Sequence, residues 1–161
     1  MKVTVRLAFV AFFAIVGLIV LVGCGSGSQA AIGKDVTISY TLVGASDLRA
    51  VVGPDGNHHD TFMTSDSTIV KVGDTVTFSV TNYDDMPHGM FFSELGISQT
   101  IKPATEAGPT TTTFSFMATK AGTFRWYCPL PCDTDNDQWA MHMTPAGHNE
   151  NGFMAGSITV Q

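Results

Sequence analysis

Charge is scarce in this 161-residue chain: 14% of residues are charged, against about a quarter in ordinary soluble proteins. With 44% hydrophobic residues beside it, that balance excludes a disordered chain. Positive charge is scarcer still. Eight Lys and Arg stand against 14 Asp and Glu, for a net charge of −6, so no basic surface is available to bind nucleic acid. Helical periodicity is missing after Gly33, where no stretch repeats apolar residues at helical spacing for three turns, and there is no internal repeat. Nucleophile triads, phosphate-cradling loops and dinucleotide fingerprints are also missing, so the sequence assigns no catalytic residue and suggests no enzyme acting alone. Cysteine is limited to Cys24, Cys128 and Cys132, an odd number that becomes a pair once the first is set aside. The length suits one domain.

What is present begins with an export signal. Lys2 and Arg6 precede residues 7–22, an apolar run without charge, which leads into Leu21-Val22-Gly23-Cys24. Those four residues resemble a bacterial lipobox, in which the cysteine is lipidated and becomes the new first residue. Small residues admit the peptidase and the thiol carries the lipid; two or more acyl chains anchor a domain stably. An uncleaved helical anchor is the alternative, since the run is a little short of a full span. The expected organisation is a lipoprotein signal peptide over 1–23, lipidated Cys24 with a flexible linker over 24–33, and one domain over 34–161. The domain would sit outside the cytoplasm, lipid-anchored to the cell membrane and facing the periplasm or cell exterior.

That domain reads as strands. Period-two alternation runs through Val36-Ile38-Tyr40-Leu42, Val70-Val72 and Val76-Phe78-Val80. Further strands are expected at Phe114-Phe116, Phe124-Trp126-Cys128 and Ile158-Val160, separated by Gly, Pro, Asn and Asp clusters. Residues 45–60 read as a long loop. Short strands at this spacing predict an all-β antiparallel sandwich or small barrel. The expected core is Val70, Val76, Phe78, Val80, Phe91, Phe114, Phe116, Phe124, Ile158 and Val160. Met63 and Met117 read as packing residues, and His58-His59 as a solvated loop pair.

Metal-ligating side chains gather late in the chain. Cys128 and Cys132 are followed by His142, His148 and Met154, with Met141 and Met143 among them, and His88 stands upstream. Thiolate, imidazole and thioether make a soft donor set, which suits copper better than hard cations. A Cys128–Cys132 disulfide and a zinc site compete with that reading. A zinc finger would need its histidines on one helix, and Pro145 and Gly147 lie between them.

Asp85-Met86-Pro87-His88-Gly89-Met90-Phe91, Leu95-Gly96-Ile97, the segment from Ala121-Gly122-Thr123 to Cys128-Pro129-Leu130-Pro131-Cys132, and Met154-Ala155-Gly156-Ser157-Ile158 together resemble a cupredoxin. More narrowly they resemble the CuA domain of cytochrome c oxidase subunit II and nitrous oxide reductase, over roughly Ser67 to Gln161. The paired cysteines are the specific part, because ordinary blue-copper domains carry one. The resemblance implies a Greek-key β-sandwich and a copper-binding electron-transfer protein, either a free lipoprotein or a subunit II-like component of a terminal oxidase. It implies His88, Cys128, Cys132, the Leu130 carbonyl and Met154 as ligands of one or two copper ions, the binuclear state being favoured. Residues 133–146 interrupt the family spacing; Gly147-His148 resembles the family's Gly-His pair, which makes His148 the remaining ligand, with His142 the alternative. The resemblance also implies a redox partner such as a cytochrome or oxidase subunit. Trp126, Tyr127, Phe91 and Phe153 would keep the centre dry.

Two details qualify this pattern. Pro129 and Pro131 remove two backbone N–H groups that could otherwise hydrogen-bond the sulfurs. Asp84, Asp85, Asp133, Asp135, Asp137 and Glu150 would gather at the metal end and steer a basic partner. The functional alternatives are a mononuclear cupredoxin and an extracytoplasmic copper-delivery or copper-sensing protein, the latter motivated by Met86, Met90, Met141, His142, Met143 and Met154.

Overall fold

The computed structural model describes residues 33–53, 55–130 and 153–161. Their strands are β1 (Asp35–Val43), β2 (Val51–Val52), β3 (His58–His59), β4 (Thr61–Met63), β5 (Ile69–Val70), β6 (Thr75–Asn82), β7 (His88–Phe92), β8 (Ile97–Ile101), β9 (Thr110–Met117), β10 (Gly122–Tyr127) and β11 (Ala155–Val160). Among the described residues, one turn of 3-10 helix at Ser93–Leu95 is the only helical element, and no helix is long and apolar enough to cross a membrane. The described residues form an all-β domain, as the alternation predicts.

Period-two burial builds the layers. In β6, Val76, Phe78, Val80 and Asn82 are buried, while Thr75, Thr77, Ser79 and Thr81 turn outward. Ile38, Tyr40 and Leu42 do the same in β1. β6 pairs with β1 on one side and β9 on the other in unbroken register, so the inward faces line up. On the outer face hydroxyls meet across strands, Thr77 with Ser115 at 2.8 Å and Thr81 with Thr111 at 3.0 Å. One sheet has the order β4-β1-β6-β9 and the other β5-β11-β10-β7-β8, with β2-β3 a separate ribbon.

Aromatic rings fill the space between the sheets. Phe78 stacks on Phe114 at 5.2 Å and meets Phe92 of the other sheet at 5.5 Å. Trp126 presents its ring edge-on to Phe62 at 5.0 Å and Tyr40 at 5.5 Å. A Cβ at Gly156 would sit 2.7 Å from the Trp126 ring, so only glycine lets the indole lie against β11. Burial pushes the Tyr40 phenol up to about 12; the neighbouring Trp126 indole opposes that rise and the Asp66 charge adds to it.

The topology also places the candidate ligands. β6 ends at Asn82 in one sheet and β7 begins at His88 in the other, so residues 83–87 cross between layers. β10 pairs antiparallel with β7, Tyr127 opposite Phe91. Continuing that register carries residues 128–130 alongside residues 88–90.

Several sequence expectations change here. Two strand pairs, β1–β6 and β5–β11, run parallel rather than antiparallel. Residues 45–60 contain the β2–β3 ribbon, with Val51 opposite His59. His58-His59 is not a solvated pair: the His59 ring is 1% exposed, stacked on Phe153. In β7 the buried side chains are His88, Gly89, Met90 and Phe92, while Phe91 is half-buried and packs edge-on against Tyr127. Phe114 and Phe116 are partly buried against the core. Met117 falls on the outward side of β9 and is 63% exposed, and Val72 is exposed beyond β5.

Candidate metal centre

The crossing loop is built to hold His88. Asn82, fully buried, accepts the Asp84 amide on Oδ1 at 2.8 Å and donates through Nδ2 to the Met86 and Lys102 carbonyls, both at 3.0 Å. The Ala104 amide donates to the Asp84 carbonyl at 2.7 Å. Pinned in this way, the loop folds Asp84 back onto the residue four places on. His88 Nε2–H donates to Asp84 Oδ2 at 2.7 Å. Gly44 makes room for this carboxylate, since a Cβ there would lie 2.5 Å from Asp84 Oδ1.

The other ring nitrogen, Nδ1, is fully buried and has no hydrogen-bond partner of ordinary geometry. The thiol that acts on this ring is Cys128, itself fully buried. Burial alone would lower the His88 pKa; the Asp84 hydrogen bond, Cys128 and the Asp60 charge outweigh it and raise the value to about 9. Burial likewise pushes the Asp84 carboxyl up, but the His88 contact and the Asp85 and Met86 amides hold it below the usual range.

Cys128 is anchored from three directions. The Gly89 amide donates to Sγ at 3.3 Å, so β7 supplies the N–H that the following prolines cannot. The thiol points to the Leu130 carbonyl at 3.8 Å, and the Cys128 amide donates to the Met154 carbonyl at 2.9 Å. Gly89 is required because a Cβ there would sit 2.7 Å from Cδ of Pro129. Met154 is fully buried in the same cluster as Cys128.

A strap made of β3 and β4 closes over both sides. His59 stacks on Phe153 at 5.5 Å and 19°, and its Nε2 lies 2.9 Å from Asp55 Oδ1. Gly53 leaves the space for that ring. The Phe62 amide donates to the Phe153 carbonyl at 2.8 Å, while the Phe62 ring meets His88 edge-on at 6.4 Å.

The structure therefore brings together His88, Cys128, Leu130 and Met154 of the expected ligands. Cys132, His148 and His142 lie outside the described residues, as do the lipidation residue Cys24 and the acids Asp133, Asp135, Asp137 and Glu150. Asp84 is not a free steering charge; it is spent on His88, while Asp85 remains exposed. Sequence reading missed Asp84 as the His88 partner, His59 as the brace of Phe153 and Asp60 as a buried neighbour. The Asp-x3-His spacing of residues 84–88 and 55–59 is the one signal that could have suggested the first two.

The donor set fits a soft or borderline metal. A buried imidazole nitrogen without a partner, facing a buried thiol and backed by a carboxylate, is how metal-binding histidines are held. No family model matches the chain. Among solved structures, rusticyanin from Thiobacillus ferrooxidans is 19% identical over 80% of this chain and 79% of that chain, with a TM-score of 0.46. The periplasmic domain of subunit II of cytochrome oxidase from Bradyrhizobium japonicum is 18% identical over 78% and 83%, with a TM-score of 0.45. Blue copper oxidase from Nitrosomonas europaea is 22% identical over 80% of this chain and 39% of that chain, with a TM-score of 0.45.

Proposed function

We propose that this chain is a copper-binding electron-transfer protein of the cupredoxin kind, tethered outside the cytoplasm by lipid on Cys24. The observation that carries the reading is the buried His88–Cys128 pair, with Asp84 fixing the ring from behind and the Gly89 amide on the sulfur. His88 through Nδ1 and Cys128 through its thiolate would hold copper, with Met154 and the Leu130 carbonyl beside them. His148, or His142 in its place, and Cys132 would complete the set, Cys132 bridging a second ion in a CuA-like centre. Copper supplies a one-electron couple. The residues supply a preformed, dry cradle: Asp84 fixes the ring, the Gly89 hydrogen bond tempers the thiolate charge, and Trp126, Phe62 and Phe153 exclude water. Ligands held in place before an electron arrives need little rearrangement when it does.

The reading implies a redox partner such as a cytochrome or an oxidase subunit. Copper content per chain, read with the absorption and electron spin resonance spectra, tests it. One or two coppers with intense thiolate-to-copper absorption are expected, and a colourless protein that takes up no copper would overturn the reading. A mixed-valence signal from two coppers distinguishes the CuA-like centre from a mononuclear one. Met86, exposed on the loop that leads into His88, favours copper delivery as a second reading. A delivery protein would lose copper to a mild chelator, whereas a redox centre would retain it through repeated reduction and reoxidation.

A further inference from the structure

Asp60 lies between β3 and β4 and is 4% exposed. Its Oδ1 accepts the Ala45 amide at 2.7 Å. Asp60, Asp84 and His88 each place a donor atom within 4.8 Å of the others. Two carboxylates, one almost fully buried and one 13% exposed, thus converge on a single buried imidazole. Orienting that ring requires one acceptor, and a backbone carbonyl or a neutral amide would serve. Burying a carboxylate is costly, so a second one beside the same ring is more than orientation demands.

We propose that Asp60 and Asp84 together set the oxidation-state preference of the centre, holding two negative charges beside His88 that favour the more highly charged, oxidised metal. This rests on the copper reading above and adds to it the residues that tune the couple. The physical basis is Coulombic. One-electron reduction lowers the positive charge at the centre by one, so nearby fixed negative charges oppose it, and they are felt most where water is excluded. Ligand identity alone leaves this preference open. The carboxylates shift it toward keeping oxidised copper, which a redox module needs and a Cu(I) courier does not.

The test uses the full chain, copper-loaded, as wild type, Asp60→Asn, Asp84→Asn, the double variant and Asp60→Glu. Affinities for Cu(I) and Cu(II) are measured separately by chelator competition, and the midpoint potential by titration with a chemical reductant, following the thiolate-to-copper band. Asp60→Asn should shift the Cu(I)-to-Cu(II) affinity ratio about tenfold toward Cu(I). Its potential should rise, the double variant should move further, and Asp60→Glu should stay near wild type. If Asp60→Asn does not fold, Asp84→Asn carries the same prediction. A copper-loaded, folded variant with an unchanged ratio and potential overturns the proposal. So does uptake of Zn²⁺ by a Cys128→Ser protein that Asp60→Asn abolishes, because the carboxylates would then be direct ligands. A wild type that binds no copper sinks the electron-transfer reading itself, which is a different failure.

Discussion

Gly89 and Asp74 show how much single positions carry. At Gly89 the strand passes so close to Pro129 that a methyl group has no room, and the same residue's amide reaches the Cys128 sulfur. Gly89→Ala should push β7 from residues 128–130 and cost about 1–3 kcal/mol, read as a lower urea midpoint at unchanged slope. The thiolate-to-copper band should move with it. Asp74 works at the opposite end of the molecule. Its carboxylate accepts the Lys34 amide at 2.9 Å and the Lys71 amide at 2.8 Å, tying the start of β1 to the turn before β6. Those two amides, ahead of the smaller opposing effect of desolvation, hold its pKa below the ordinary 3.8. A lowered folded-state value means that the stabilisation is present above the unfolded pKa and fades as pH falls through the folded one. Thermal unfolding of the metal-free protein should therefore fall steeply in acid. Asp74→Asn should flatten that limb, and identical limbs would dismiss the assignment.

At the scale of elements, the strap of β3 and β4 decides how firmly the two halves of the centre are held. It touches Phe153, next to Met154, through His59, and it touches His88 through Phe62. Neither contact is local: His59 and Phe153 are 94 positions apart, and Phe62 and His88 are 26 apart. His59→Ala should remove the stacked ring and leave a void, costing about 2–4 kcal/mol, with weaker copper retention. His59→Phe keeps the stack without the Asp55 contact and should recover most of the copper retention; if both variants bind copper like wild type, the strap has no part in the centre. Asn82 holds the crossing loop in a comparable way. Asn82→Ala takes away the partner of the Asp84 amide and of the Met86 carbonyl, while the Lys102 carbonyl keeps the Thr110 hydroxyl, and about 1–3 kcal/mol of stability should go with it. Hydrogen exchange should then quicken at the amides of residues 83–86 ahead of those in β6.

At the scale of the whole molecule, the proposed metal stoichiometry and lipid anchor each rest on one cysteine. Cys132→Ser should leave at best one copper on Cys128 and abolish any mixed-valence spectrum; an unchanged spectrum would remove Cys132 from the ligands. Cys24→Ser should yield a soluble or unprocessed protein in cell fractionation. Membrane association at the mature mass in that variant would dismiss the lipid anchor.

The sequence by itself determined the class of fold and the donor types on which the proposed chemistry rests. Alternation at period two in β1, β6 and β10 is a one-dimensional property that follows from strand geometry, and so Phe78, Val80, Phe124 and Ile158 were legible as core. The softness of the Cys, His and Met donors belongs to the residue types and needs no coordinates. The tertiary structure decided what depends on separation in sequence. The parallel pairing of β1 with β6 is a matter of chain path, which alternation does not encode. Phe91 and Met117 have the same apolar character as buried residues, and only the face on which β7 and β9 present them leaves Phe91 half-buried and Met117 exposed. His59 reads as polar in a polar loop until Gly53, Asp55 and distant Phe153 form a slot for its ring. In the sequence Asp84 reads as a partner-steering acid and Asp60 as the end of a long loop. They are drawn against His88 because β1, β4 and the loop pinned by Asn82 converge there, and convergence of remote segments is a property of the packed sheets, not of any one segment.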